Sequence, residues 1–150
     1  MQLNFPTYPF KLKDADGKRY IWDTIRKKWY VLQAEEWVRQ HLIHYLIEDL
    51  GYPKGLISVE KLVTVNHQRR RYDLAVANKE GGFILLAECK APTEKISQAT
   101  FNQIAAYNID LKVPYLLVTN GLQHFFCKID FKTNNFEFLK GVPKWGEVKD

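Results

Sequence analysis

Asp73 and the tripeptide Glu88-Cys89-Lys90 are the residues of this chain best suited in type and spacing to chemistry. They lie in the run RRRYDLAVANKEGGFILLAECKAP, where a Gly-Gly turn joins two apolar stretches. Side chains alternate faces along a strand, so Glu88 and Lys90 are predicted to share one side. A hairpin would bring Asp73 to the same place. Two carboxylates and an ammonium at the end of an apolar sheet are costly unless something binds them. A divalent metal is the economical answer. Mg²⁺ is hard and octahedral and takes one or two carboxylates plus waters, with Mn²⁺ as the alternative ion. Asp73 and Glu88 would supply the carboxylates and the Cys89 backbone carbonyl a third oxygen. Lys90 would orient a water and offset developing negative charge, as phosphodiester hydrolysis requires. The bland reading is a Glu88–Lys90 ion pair at a strand end, with Asp73 in a solvated turn.

The elements that must position these residues are legible around them. From Ala34 to Leu50, apolar residues at 38, 42, 45, 46 and 50 recur at helical spacing, with Glu35, Arg39 and Glu48 free to face water. The acidic pair Glu35-Glu36 suits the first turn and Gly51-Tyr52-Pro53 the stop. Strands are predicted over Leu56–Val65, Arg71–Ala77 and Phe83–Ala87. The third is apolar on both faces, which marks a central strand. A helix over 96–111, a strand over Tyr115–Thr119 and weaker strands in His124–Ile129 and Asn135–Leu139 follow. The first 33 residues alternate aromatics with basic residues around the turn Asp14-Ala15-Asp16-Gly17. They read as a β-appendage (1–33) on a core (34–121) with a C-terminal β extension (122–150), all one domain.

At 150 residues, with 46% hydrophobic and 14% aromatic content, the chain can bury a two-layer core. A net charge of +5 favours a polyanionic partner without specifying one. Cys89 and Cys127 are too few for a disulfide framework or a zinc site and read as buried hydrophobes. No signal pattern opens the chain and no run reaches membrane-spanning length, so a cytoplasmic protein with no membrane partner is expected.

The segments AEEWVRQHLIHYLIEDLGYP, LISVEKLV, RRRYDLAV, LLAECKAP, FNQIAAYN and LLVTNG resemble, in order, the N-terminal nuclease domain of type I restriction endonuclease R subunits. That domain is a member of the PD-(D/E)XK nuclease superfamily. The resemblance spans roughly residues 34 to 121, with Tyr72 where the superfamily name has Pro. It implies an α/β restriction-endonuclease-like αβββαβ core, with a mixed central sheet flanked by helices. It also implies Asp73 and Glu88 as metal ligands and Lys90 as the catalytic lysine. The first-helix acid, a further metal ligand, would be Glu36. Glu35 is its rival, because it shares a helical side with Arg39 whereas Glu36 stacks beneath Gln40. Gln103 and Tyr107, four apart on one helix face, match a Gln-x-x-x-Tyr motif that accompanies such active sites.

Alternation puts Arg69 and Arg71 on the Asp73 face, where they suit phosphate contacts, and Arg70 on the other. The equal alternative is a solvated basic loop. The aromatic-basic N-terminal segment suits either stacking on unpaired bases or packing over the core, the preferred reading. The expected function is a Mg²⁺-dependent deoxyribonuclease. A non-catalytic nucleic-acid-binding module and an RNA nuclease are the alternatives. The chain has no room for a motor, so targeting is expected from a partner protein, a homodimer or a preferred DNA structure.

Overall fold

The computed structural model describes residues 2–65 and 67–148, with the backbone alone for residues 65, 68, 107, 109 and 110. In chain order it has β1 (Leu12–Ala15), β2 (Lys18–Asp23), β3 (Lys28–Val31), α1 (Ala34–His44), β4 (Ile57–Val65), β5 (Gln68–Ala77), β6 (Phe83–Cys89), α2 (Gln98–Leu111), β7 (Tyr115–Thr119), β8 (His124–Asp130) and β9 (Asn135–Leu139). The run α1-β4-β5-β6-α2-β7 is the expected αβββαβ core.

A six-stranded sheet in the order β4-β5-β6-β7-β8-β9 forms the centre. Neighbours are antiparallel except β6 and β7, which are parallel. A parallel pair needs a crossover, and α2 supplies it. Helix α1 covers one face. Its Val38, Leu42 and Ile43 pack with Leu74, Val76, Leu85, Ala87 and Leu117. Helix α2 covers the other, where Phe101, Ile104 and Ala105 meet Ala75, Leu86, Leu116 and Val118. This is why β6 and β7 are continuously apolar: each alternate residue has a helix above or below it. Leu42 is fully buried, so Leu42→Ala would cost about 2–5 kcal/mol through lost transfer energy and a cavity.

The periodicity predicts helix to Leu50, but regular α geometry ends at His44. Tyr45–Asp49 widens into a π-type turn, with Leu50 N–H donating to the Tyr45 carbonyl at 3.1 Å. Gly51 then takes φ +75°, the left-handed stop that glycine allows at least cost.

Strands β1, β2 and β3 form a separate antiparallel sheet. Asp16 and Gly17 (φ +53° and +74°) make its first turn, both central residues being left-handed as a tight hairpin demands. Its inner face buries Ile21 and Asp23 completely. Among the described residues no helix is long and apolar enough to cross a membrane.

Candidate active site

Strands β5 and β6 pair Ala75 with Leu86 and Leu74 with Ala87, so one step further Asp73 lies opposite Glu88. The Cys89 backbone N–H donates to Asp73 Oδ2 at 2.7 Å, fixing that carboxylate against the end of β6. Arg39 Nη2 donates to Asp73 Oδ1 at 2.7 Å. Arg70 Nη2 donates to Glu88 Oε1 at 3.0 Å. Glu88 is only 7% exposed. Burial, and then the Asp73 carboxylate beside it, push its carboxyl up to about 7 against the pull of Arg70. Glu88 thus faces a second acid in a setting dry enough to favour its own neutral form. Cys89 packs into the α1-side core, and burial pushes its thiol well up, as suits a small hydrophobe. The structure engages Cys89 here through its amide.

The backbone departs from simple alternation at this point. The β4–β5 ladder joins Val59 to Leu74 and Lys61 to Tyr72, stepping over Glu60 and Asp73. Glu60 has φ +54°, a left-handed kink in the middle of a strand. In consequence Tyr72 packs on the α2 side while Leu74 packs on the α1 side, although two residues apart should share a face. The break lies beyond the arginines, so Arg70 stays on the face opposite Arg69 and Arg71, as alternation predicts. Arg70 bonds Glu88 and lies over the Tyr72 ring at 5.2 Å, whereas Arg69 and Arg71 are exposed.

A polar cluster behind the acids comes from α1 and the N-terminal sheet. Arg39, expected to face water, is only 7% exposed. Its guanidinium spans Glu36 Oε1 at 2.8 Å and Asp73 Oδ1 at 2.7 Å. Glu36 also accepts from Arg26 Nη2 at 2.9 Å and Gln40 Nε2 at 3.2 Å. Asp23 accepts from the Ile25 and Arg26 amides at 2.8 Å each, from Arg26 Nε at 2.7 Å and from Gln40 Nε2 at 2.8 Å. Both carboxylates are therefore saturated with donors.

Of the two first-helix acids, Glu36 is taken up by this cluster, while Glu35 is half exposed and lies 3.9 Å from Arg39 Nη2. Burial, and then the Asp73 carboxylate, raise the Glu35 carboxyl, while Arg39 and Lys90 oppose the rise. Lys90 is the first residue past β6. Its N–H donates to the Thr119 carbonyl at 2.8 Å, which extends the β6–β7 pairing by one bond.

Residues 34–143 match the type I restriction enzyme R protein N terminus. The chain belongs to that family. The αβββαβ order and the mixed sheet are consistent with a PD-(D/E)XK nuclease fold for this family member. No curated protein matches the chain. Of the other residues implied by resemblance, Gln103 is exposed on α2, and the Tyr107 side chain lies outside the described residues. Arg39 and Arg70 are the site residues that sequence reasoning missed. The one available signal for Arg39 was its i,i+3 spacing from Glu36 on a helix whose polar side the N-terminal sheet would cover.

Proposed function

We propose that this family member is a Mg²⁺-dependent nuclease that hydrolyses DNA phosphodiester bonds at Asp73, Glu88 and Lys90. The observation that carries the proposal is the facing pair Asp73–Glu88, a half-buried and a buried acid at the end of the central strands, with Glu88 pushed up to about 7. A cation between them would remove that repulsion.

The donor set fits Mg²⁺ better than a softer metal. It consists of oxygens, and among the described residues no group of three or more His, Cys, Asp or Glu forms a cage. Mg²⁺ needs no such cage, because it keeps waters and takes phosphate oxygens in the remaining positions. Asp73 and Glu88 would hold it, with the Cys89 carbonyl as a third ligand and Glu35 replacing Glu36 as the supporting acid. When bound, Mg²⁺ lowers the pKa of water and neutralises phosphate charge.

The chain's own residues supply the rest. Arg39 and the Cys89 amide fix the orientation of Asp73, so it meets a ligand without reordering. Arg70 holds one oxygen of Glu88. The Lys90 ammonium, within electrostatic reach of Glu35, positions the attacking water and offsets negative charge on the scissile phosphate. The protein acts without a covalent intermediate, in the cytoplasm, and takes its targeting from a partner protein or a second copy.

One observation favours a non-catalytic binding module instead: Arg39 and Arg70 already bring positive charge to both carboxylates. Mg²⁺-dependent cleavage of duplex, single-stranded and branched DNA, with RNA alongside, decides between the two. The nuclease reading expects metal-dependent cleavage of DNA that Lys90→Ala abolishes. Cleavage that survives Lys90→Ala or needs no metal overturns it, and binding without cleavage on every substrate favours the module.

A further inference from the structure

The N-terminal sheet has a second face that the core does not use. Cross-strand partners share a face, so the register Lys13–Tyr20, Tyr20–Val31 and Trp22–Trp29 puts these residues together on the side opposite buried Ile21 and Asp23. The Trp22 N–H donates to the Lys11 carbonyl at 3.0 Å, which places Lys11 next in the same row. Trp22 and Trp29 meet edge to face with centroids 5.4 Å apart. Lys13 Nζ sits 4.5 Å from the Trp29 ring centroid and 5.9 Å from that of Tyr20. Tyr20, Trp22 and Trp29 belong to neither core cluster, though each is only half-buried. The acids of these strands, Asp14 and Asp23, pair with Arg19 and Lys28 and so lie in the other row.

Lysines interleaved with aromatic rings, on a face to which these strands contribute no carboxylate among the described residues, match the chemistry of unpaired nucleotides, whose bases stack on rings while phosphates meet ammonium groups. Duplex DNA hides its base faces and would leave the rings unused. The sheet is also tied to the candidate active site. Asp23 and Arg26, at the end of β2 and in the following turn, reach Glu36 and Gln40. Leu12 and Arg19 border a notch of about 340 Å³ that they share with Pro92 and Thr93, just beyond Lys90.

We propose that the Tyr20–Trp22–Trp29 face, with Lys11 and Lys13, is a stacking platform for single-stranded DNA. The choice of DNA rests on the nuclease reading above; the platform itself rests on the aromatic row and its charge.

The test titrates the full chain, in EDTA to prevent cleavage, into a labelled oligothymidylate of about 16 nucleotides, read by anisotropy and by tryptophan fluorescence. Quenching on binding is expected, with affinity loss of about tenfold in Trp22→Ala and in Trp29→Ala. Trp29→Phe should retain binding and Trp29→Leu should lose it. Lys13→Glu should weaken binding and lower the salt slope by about one or more. Circular dichroism checks folding, and if the alanine variants unfold, Lys13→Glu and the Phe/Leu pair decide. Unchanged affinity across the folded variants, equal binding of a duplex of the same length, or tighter binding of the matching RNA overturns the proposal. Platform-dependent binding by a protein that cleaves nothing leaves the platform standing and removes the nuclease reading. Cleavage with no effect of the platform variants on binding does the reverse.

Discussion

Two groups of buried acids lie side by side in this molecule and are treated in opposite ways. Around α1, burial alone would raise the Asp23 carboxyl, but hydrogen bonds from Arg26 and Gln40 outweigh it and hold it below its ordinary value. Glu36 likewise has both oxygens occupied by Arg26, Arg39 and Gln40. At the end of β5 and β6, burial and a neighbouring carboxylate win instead, and Glu88 stands at about 7. The first group is internally neutralised and reads as architecture. In the second, burial outweighs the pull of Arg70, and a carboxyl raised in this way beside another acid suits a ligand site. Arg39 touches both groups, so the contrast can be broken at that residue.

The largest expected effect is that of Arg39→Met. It leaves buried Glu36 and half-buried Asp73 without their shared cation and should cost about 3–5 kcal/mol in urea unfolding. A loss below about 1 kcal/mol, the level of an exposed ion pair, would dissolve the distinction.

The same acid-to-amide change should then have opposite signs in the two groups. Glu36→Gln loses charge-assisted hydrogen bonds and should destabilise by about 1–3 kcal/mol. Glu88→Gln relieves repulsion and should stabilise the metal-free protein, on the order of 2 kcal/mol at pH 8. Chemical denaturation of both variants at one pH checks the pair, and equal signs would end the comparison.

The pH dependence follows the same division. Glu88 is raised from 4.5 to about 7 on folding, so its contribution is fully present below 4.5 and is lost as pH rises through 7. Asp23 is lowered, so its contribution is present above the ordinary carboxylate range and is lost on acidification. In EDTA, thermal melts of Glu88→Gln should fall less than those of the wild type between pH 5 and pH 8, while Asp23→Asn should flatten the acid limb.

The smallest stability effect is expected at Glu35, which is half exposed. Glu35→Gln should change unfolding free energy by no more than about 0.5 kcal/mol. If Glu35 supports the chemistry, the rate of DNA cleavage should nevertheless fall. An unaltered rate would remove it from the site.

Much of this arrangement was legible because it depends on period and burial. The run FILLAEC is apolar on both faces, which only a strand covered twice tolerates, and LLVT repeats the pattern in its parallel neighbour. Asp73 and Glu88 came together because strand, turn and strand leave them little alternative. What failed depended on events that residue types do not announce. A left-handed glutamate at position 60 accompanies a break in alternation between Tyr72 and Leu74, which sends them to opposite faces of the sheet. Arg39 looked like a solvated position on the helix wheel because the wheel does not show the N-terminal sheet that closes over it, nor an acid reaching it from β5. The partners of Glu36 were hidden for the same reason: the appendage supplies Arg26 to the inner acid and leaves Glu35 half exposed. That appendage was expected to pack over the core. One of its faces does so, while the other carries the unused aromatic row.

The most direct measurement is a crystal structure of the wild-type protein grown with Mg²⁺ above pH 7, where Glu88 is ionised. The account predicts one ion with carboxylate oxygens of Asp73 and Glu88 within ~2.0–2.1 Å. A protein in which that position holds no ion, with Arg39 and Arg70 still on the two acids and Asp73 turned away from Glu88, would contradict it.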